Sequence, residues 1–216
     1  MDRGRFITFE GGEGTGKSTQ ARLLAATLDD WGHDALLTRE PGGTPGAEAI
    51  RELVVQGAVD RWDPLTEVLL LSAARRDHVE RLIRPALADG VWVVCDRFVD
   101  STRAYQGYGE GISLDVIDRL IGLAVGDLVP DLTFVQDLPV EAGLGRAAGR
   151  DGDAAGRFEK FDRDFHRRLR DGFLDIAARE PARCAVIDAA AEPEETHAAV
   201  LAVLRDRLGA GPRDGR

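Results

Sequence analysis

The stretch Glu10-Gly11-Gly12-Glu13-Gly14-Thr15-Gly16-Lys17-Ser18-Thr19 carries the most legible chemistry in the chain. It has the form G-x-x-x-x-G-K-[ST], with the apolar run Phe6-Ile7-Thr8-Phe9 before it and an amphipathic helical period after it. That setting of strand, glycine loop and helix is what a phosphate cradle requires. Glycines let the backbone curl so that successive N–H groups point at phosphate oxygens, and the new helix adds the positive end of its dipole. Lys17 would reach the β- and γ-phosphates, and the Ser18 hydroxyl would ligate Mg²⁺. Only Lys17 and Lys160 among the 28 basic residues are lysines. A compact cation has therefore been kept at the one place that needs it. No G-x-G-x-x-G register fits these glycines, so a dinucleotide fingerprint fails. The loop is expected to hold a nucleoside triphosphate through Gly11, Gly12, Glu13, Gly14, Thr15, Gly16, Lys17, Ser18 and Thr19.

Two further features narrow the phosphoryl transfer. Val91-Trp92-Val93-Val94-Cys95 ends in Asp96-Arg97, which places a carboxylate at the C-terminal edge of a sheet, where the phosphate loop also opens. Asp96 would join the Mg²⁺ shell or orient the attacking group, and Arg97 would bind a second phosphate. The segment from Gly143 to Gly156 holds five glycines together with Arg146 and Arg150, and Arg157 follows directly. This is the composition of a mobile lid that brings a guanidinium to the charge developing on the transferred phosphoryl. GTPase base-reading signatures of the N-K-x-D kind are excluded, because the chain has no Asn. A small kinase is favoured.

The elements that must position these residues alternate. Nearly continuous apolar runs at Arg5–Phe9, Asp34–Thr38, Val91–Cys95, Leu132–Gln136 and Cys184–Asp188 read as strands covered on both faces. Helical segments fall at 17–30, 46–57, 65–88, 113–126, 139–148, 160–179 and 194–208. This pattern predicts an α/β fold with a parallel sheet, as one domain over 1–208, with a lid at about 143–157 and a frayed tail at 209–216. Gly107–Gly111 reads as a glycine-rich connection. The net charge is −10 over 216 residues, which argues against a general nucleic-acid or anionic-membrane binder. No stretch approaches a membrane span, and no signal-type apolar run opens the chain. Cys95 and Cys184 form neither a zinc site nor a disulfide framework. A cytoplasmic protein is expected.

Several segments together resemble the bacterial type of thymidylate kinase. They are Phe9-Glu10-Gly11 with the loop, Arg39-Glu40-Pro41-Gly42-Gly43-Thr44, Ala73-Ala74-Arg75, Asp96-Arg97-Phe98 and Ser101-Thr102-Arg103-Ala104-Tyr105-Gln106-Gly107. The resemblance covers nearly the whole chain. It implies a P-loop NTPase fold with a five-stranded parallel sheet, transfer of the ATP γ-phosphoryl to thymidine monophosphate (dTMP) with Mg²⁺, and a homodimer. By matching position, Glu13 would lie near the acceptor's sugar and phosphate, and Arg97 and Arg51 would clamp that phosphate. Arg75 would reach the thymine carbonyl edge; composition alone does not separate it from Arg76, and the A-A-R motif does. Ser101, Thr102 and Gln106 fall where the family binds the acceptor, and Tyr105 would pack on the deoxyribose. No basic residue occupies the variable loop positions, so the family pattern implies a catalytic cation from the lid: Arg150, then Arg146, then Arg157. Leu71 stands where the family commonly has a Phe under the base. Two rivals share these features: another small-molecule P-loop kinase, against which S-T-x-A-Y-Q-G argues, and a nucleotide-dependent regulatory ATPase with no acceptor.

Overall fold

Five parallel strands run in the order β2-β3-β1-β4-β5, with β1 Phe6–Gly11, β2 Ala35–Arg39, β3 Trp92–Asp96, β4 Leu132–Asp137 and β5 Cys184–Asp188. The structure is a computed structural model, describing residues 3–151 and 157–213, with no side-chain description for residues 150 and 151. In register, Ile7 lies beside Val94 on one flank and Leu132 on the other. β1 is thus the switch point at which the strand order reverses, and its C-terminal end opens the crevice such sheets use for ligands. Among the described residues, no helix is long and apolar enough to cross a membrane.

Alternation along β1 sends its side chains to opposite faces. Ile7 and Phe9 pack with Leu24 and Leu28 of α1 (Lys17–Asp30) and Val200 and Leu204 of α9 (Pro193–Leu208). Phe6 joins Val79, Phe98, Ile117 and Ile121 on the other face, where α6 (Leu114–Val125) lies. Thr8 and Glu10 share that second face, and both are fully buried. Thr8 Oγ1 meets Thr133 Oγ1 at 2.7 Å, and Arg183 donates both to Thr133 Oγ1 and to Asp100.

The helical elements depart from expectation in three places. The expected helix over 65–88 is α3 (Pro64–His78), a π-turn at Val79–Ile83 and α4 (Arg84–Ala88). The segment after Phe98, including part of the expected glycine connection, is helical: α5 (Val99–Thr102) continues as a π-turn over Arg103–Gly109. The third correction concerns the glycine-rich segment. The helix expected over 139–148 is α7 (Val140–Asp151), and it carries Gly143–Asp151, the first part of the expected lid, as helix and not as loop. Glycine costs a helix about 1 kcal/mol per residue, and here a tertiary contact offsets it, since Ala147 is buried while Gly143 backs directly onto the backbone of Gly14. The tail is also held as far as Arg213. Ala210 is buried in the core, His33 Nε2 lies 3.1 Å from the Gly211 carbonyl, and Arg213 N–H donates to the Trp31 carbonyl.

Candidate active site

A cavity of about 670 Å³ opens at the C-terminal edge of β1 and β3. One end is the phosphate loop. Gly16 caps α1 in the left-handed region at φ 87°, and Gly14 has φ 68°; at Gly14 a β-carbon would also collide with the Gly143 carbonyl. Both positions therefore demand glycine. Lys17 Nζ folds back to donate to the Gly12 carbonyl at 2.6 Å and lies 3.3 Å from Thr15 Oγ1. Burial and the Arg97 charge push Lys17 down to about 8, against the attraction of Glu13 and Asp96. Ser18 Oγ donates to Asp96 Oδ2 in a short hydrogen bond. The other oxygen, Asp96 Oδ1, is buried and has no partner among the described residues.

The middle of the cavity is built around Arg97. Its backbone sits at φ 69°, a left-handed conformation that costs a non-glycine residue about 1–2 kcal/mol. Glu10 holds that turn from beneath. Its Oε1 accepts from Phe98 N–H at 2.8 Å and Ser101 N–H at 3.2 Å, while Oε2 accepts from Ser101 Oγ at 2.6 Å. Ser101 Oγ in turn accepts from Arg97 Nη1 at 3.1 Å, and the same nitrogen donates to the Gly11 carbonyl. Arg97 Nη2 donates to Glu13 Oε1 at 3.1 Å, Tyr105 Oη donates to the same oxygen at 2.5 Å, and the guanidinium lies 5.0 Å from the Tyr105 ring centre. Burial alone would raise Glu13, but Arg97, Lys17 and the Tyr105 hydroxyl outweigh it and hold the carboxyl at about 2. Burial and the Asp100 charge push Glu10 up to about 7. Arg51 reaches in from α2 (Pro45–Val55) and donates to the Pro41 carbonyl at 2.7 Å.

The far end is a pocket in which two buried polar atoms lack partners among the described residues. Arg75 donates through Nε to Glu40 Oε2 at 2.6 Å, and through Nη2 to the Phe98 carbonyl and Thr102 Oγ1. Its Nη1 has no partner. His78 Nδ1 lies 3.1 Å from Glu40 Oε1, so Glu40 is itself fixed. Gln106 donates through Nε2 to Glu67 Oε1 at 2.6 Å, and its Oε1 has no partner. Leu71, 8% exposed, lines the same space one helical turn before Arg75.

Comparison with known proteins gives this arrangement a family. A thymidylate kinase family model matches residues 9–200. The chain is 59% identical to the thymidylate kinase of Caulobacter vibrioides, over 97% of this chain and 100% of that protein. It is 56% identical to the thymidylate kinase of Rhodopseudomonas palustris (strain TIE-1), over 95% of this chain and 90% of that protein. The chain belongs to the thymidylate kinase family. These are nucleoside monophosphate kinases, a class of phosphotransferase. The crystal structure of thymidylate kinase from Ehrlichia chaffeensis superposes with a TM-score of 0.77 at 40% identity, covering 94% of this chain and 99% of that one. The P-loop NTPase fold is thus shared with a thymidylate kinase.

Against that family reading, the cavity gathers Glu13, Gly14, Gly16, Lys17, Ser18, Thr19, Arg51, Leu71, Arg75, Asp96, Arg97, Ser101, Thr102, Tyr105 and Gln106. Gly11, Gly12 and Thr15 do not line this cavity but a smaller one, of about 20 Å³, against Gln136 and His166. The lid arginines divide. Arg146 donates to the Ala189 and Ala190 carbonyls at 2.8 and 3.1 Å, tying α7 to the loop after β5 instead of reaching the cavity. Arg157 is buried, ion-paired with Glu67 and donating to the Ala58 and Val59 carbonyls. The Arg150 side chain lies outside the described residues. Ser101, expected at the acceptor, has its hydroxyl engaged by Glu10 and Arg97. Glu10, Glu40, Glu67 and His78 were given no role by sequence reasoning. Glu10 and Glu40 stand in the quoted Phe9-Glu10-Gly11 and Arg39–Thr44 segments, Glu67 and His78 in a helical period, and all four become informative only once burial is known.

Proposed function

We propose that this chain transfers the γ-phosphoryl group of ATP to dTMP, giving ADP and thymidine diphosphate, with Mg²⁺ and as a cytoplasmic homodimer. The observation that carries the acceptor reading is the pair of unpartnered atoms, a donor on Arg75 Nη1 and an acceptor on Gln106 Oε1, in one cavity with Lys17 and Arg97. A thymine edge offers a carbonyl oxygen and a ring N–H, the complement of that pair, whereas cytosine offers an amino group and a bare ring nitrogen. The wrong base would leave buried polar groups without partners, which costs about 1–3 kcal/mol each.

The reaction asks the protein chiefly for placement and charge neutralisation. In this reading Lys17 leaves the Gly12 carbonyl for the donor phosphates, and Arg97 and Arg51 take the acceptor phosphate. Glu13, Tyr105 and Ser101 hold Arg97 in line. Thr102 braces Arg75, and the Tyr105 ring packs on the sugar. Arg150 supplies the lid cation, supported by the engagement of Arg146 outside the cavity and by the pairing of Arg157, which lines it, with buried Glu67. The donor set for Mg²⁺ fits a hard cation: the Ser18 hydroxyl and Asp96, whose Oδ1 is buried without a partner. When bound, Mg²⁺ offsets charge on the donor phosphates. A homodimer is supported by exposed apolar side chains on neighbouring helices, among them Leu65 and Leu69 of α3 and Val116 and Leu123 of α6, with Leu123 78% exposed. The inner stripe of α6 remains core.

The test is ADP release from Mg·ATP in a coupled assay with thymidine, deoxyuridine, uridine, cytidine, adenosine and guanosine monophosphates, and deoxycytidine monophosphate (dCMP). Turnover chiefly with dTMP is expected. Preference for another acceptor would overturn the base assignments, and equal ADP release with no acceptor would identify a regulatory ATPase.

A further inference from the structure

We propose that Glu67 is a positioning residue for base selection. It fixes the orientation of the Gln106 carboxamide, and it is held in place by Arg157 from the far end of the 143–157 segment. The proposal rests on the assignment of dTMP as acceptor.

A carboxamide has a donor end and an acceptor end of nearly the same shape, and only its surroundings decide which faces where. Glu67 decides it here. It is fully buried on α3 and ion-paired with Arg157, so it presents only acceptor oxygens. Its Oε1 therefore selects the Nε2 end of Gln106, at 2.6 Å. The acceptor end, Oε1, is left as the free atom of a side chain that lines the cavity. Rotating the amide by half a turn would set two oxygens against each other beside Glu67 and offer the base a donor in place of an acceptor. Selection of a ring N–H thus depends on a carboxylate that does not itself line the cavity.

Arg157 makes the arrangement stiff. Its guanidinium spans Glu67 and the carbonyls of Ala58 and Val59, in the connection between α2 and α3. The residue that resumes the chain after the lid segment is thereby anchored on the same carboxylate that orients the base reader. Gln106 itself sits in the π-turn after α5. One carboxylate joins three segments that are remote in sequence, with Glu67 and Arg157 separated by 90 residues.

The test is the ratio of kcat/KM for dTMP over dCMP, in wild type, Glu67→Gln and Glu67→Asp. A glutamine at 67 can present either end to Gln106, so the amide is no longer fixed. The ratio should fall about tenfold or more, with KM for ATP changed less than about twofold. Glu67→Asp retains an acceptor-only group and should recover part of the ratio. A merely structural role would lower the melting temperature and scale both acceptors alike, leaving the ratio where it was; that result overturns the proposal. Should Glu67→Gln fail to fold because Arg157 loses its counter-charge, the double variant Glu67→Gln/Arg157→Gln removes the buried cation, and a wild-type ratio in that folded protein also overturns it. Failure of the underlying reading looks different: wild type itself would then show no preference for dTMP.

Discussion

Leu71→Phe should tighten acceptor binding. Leu71 lies one turn before Arg75 on α3, so the two side chains share a helix face, and both line the cavity. An aromatic ring beneath the base would add a stacked pair, worth about 0.5–1.5 kcal/mol beyond the area it covers. At about 1.4 kcal/mol per factor of ten, dTMP affinity should rise between about twofold and about twelvefold. The opposing term is overpacking, about 1–3 kcal/mol when a larger side chain is forced into a filled core. That penalty should stay small here, because the added atoms enter the cavity and not the core. Calorimetric titration with dTMP, paired with steady-state KM values for both substrates, would separate the terms. The expected outcome is a lower acceptor Kd and KM, an unchanged KM for ATP, and a melting temperature close to wild type. A folded variant with unchanged dTMP affinity would refute the reasoning, since the base could not then lie over position 71. A stacking gain favours any pyrimidine, so the dTMP to dCMP ratio should stay at its wild-type value, in contrast to Glu67→Gln.

Two expectations follow from the buried charges. Lys17, held down to about 8 by burial and Arg97, loses its cation in the free enzyme as pH rises through that value; kcat/KM for ATP should show an alkaline limb near pH 8, and a flat profile up to pH 10 would contradict the assigned environment. Glu110 is pushed up from 4.5 to about 7, first by burial and then by Glu67, so between those values the unfolded chain releases its proton first and the folded state loses stability as pH rises. Glu110→Gln removes that loss. Its melting temperature should match wild type below pH 4.5, exceed it increasingly up to pH 7, and keep a constant margin above; a margin independent of pH would refute the assignment.

The contiguous chemistry was legible in the sequence because local spacing creates it. The phosphate loop needs only glycines, a lysine and a hydroxyl in order, and the strand runs were located to within about two residues at each end. β1 continues past Phe9 because Glu10 and Gly11 are buried strand residues, which an apolar-run criterion stops short of. The helix expected over 139–148 extends to Asp151, three residues further into the glycine-rich segment than its composition suggests. Gly145 and Gly149 have no neighbour that a β-carbon would meet, so their cost is only propensity, and the inward contacts of Gly143 and Ala147 decide the conformation.

What the sequence concealed has a common physical form. Three arginines lining the cavity are each met by a carboxylate distant in the chain: Arg97 by Glu13 across 84 residues, Arg75 by Glu40 across 35, Arg157 by Glu67 across 90. An excess of acidic residues argues against a polyanion-binding surface, yet here carboxylates set the direction of cavity arginines from behind. A guanidinium fixed on one edge by a buried carboxylate presents its remaining N–H groups in a set direction, and little ordering is left for the ligand to impose. Arg157 shows the limit of composition as a guide. Read as one of three mobile lid cations, it is buried and neutralised, and it acts on the far end of the cavity through Glu67 and Gln106. The reading of a guanidinium therefore turns on which of its N–H groups the fold has already taken, and at Arg75 the one it has left is Nη1.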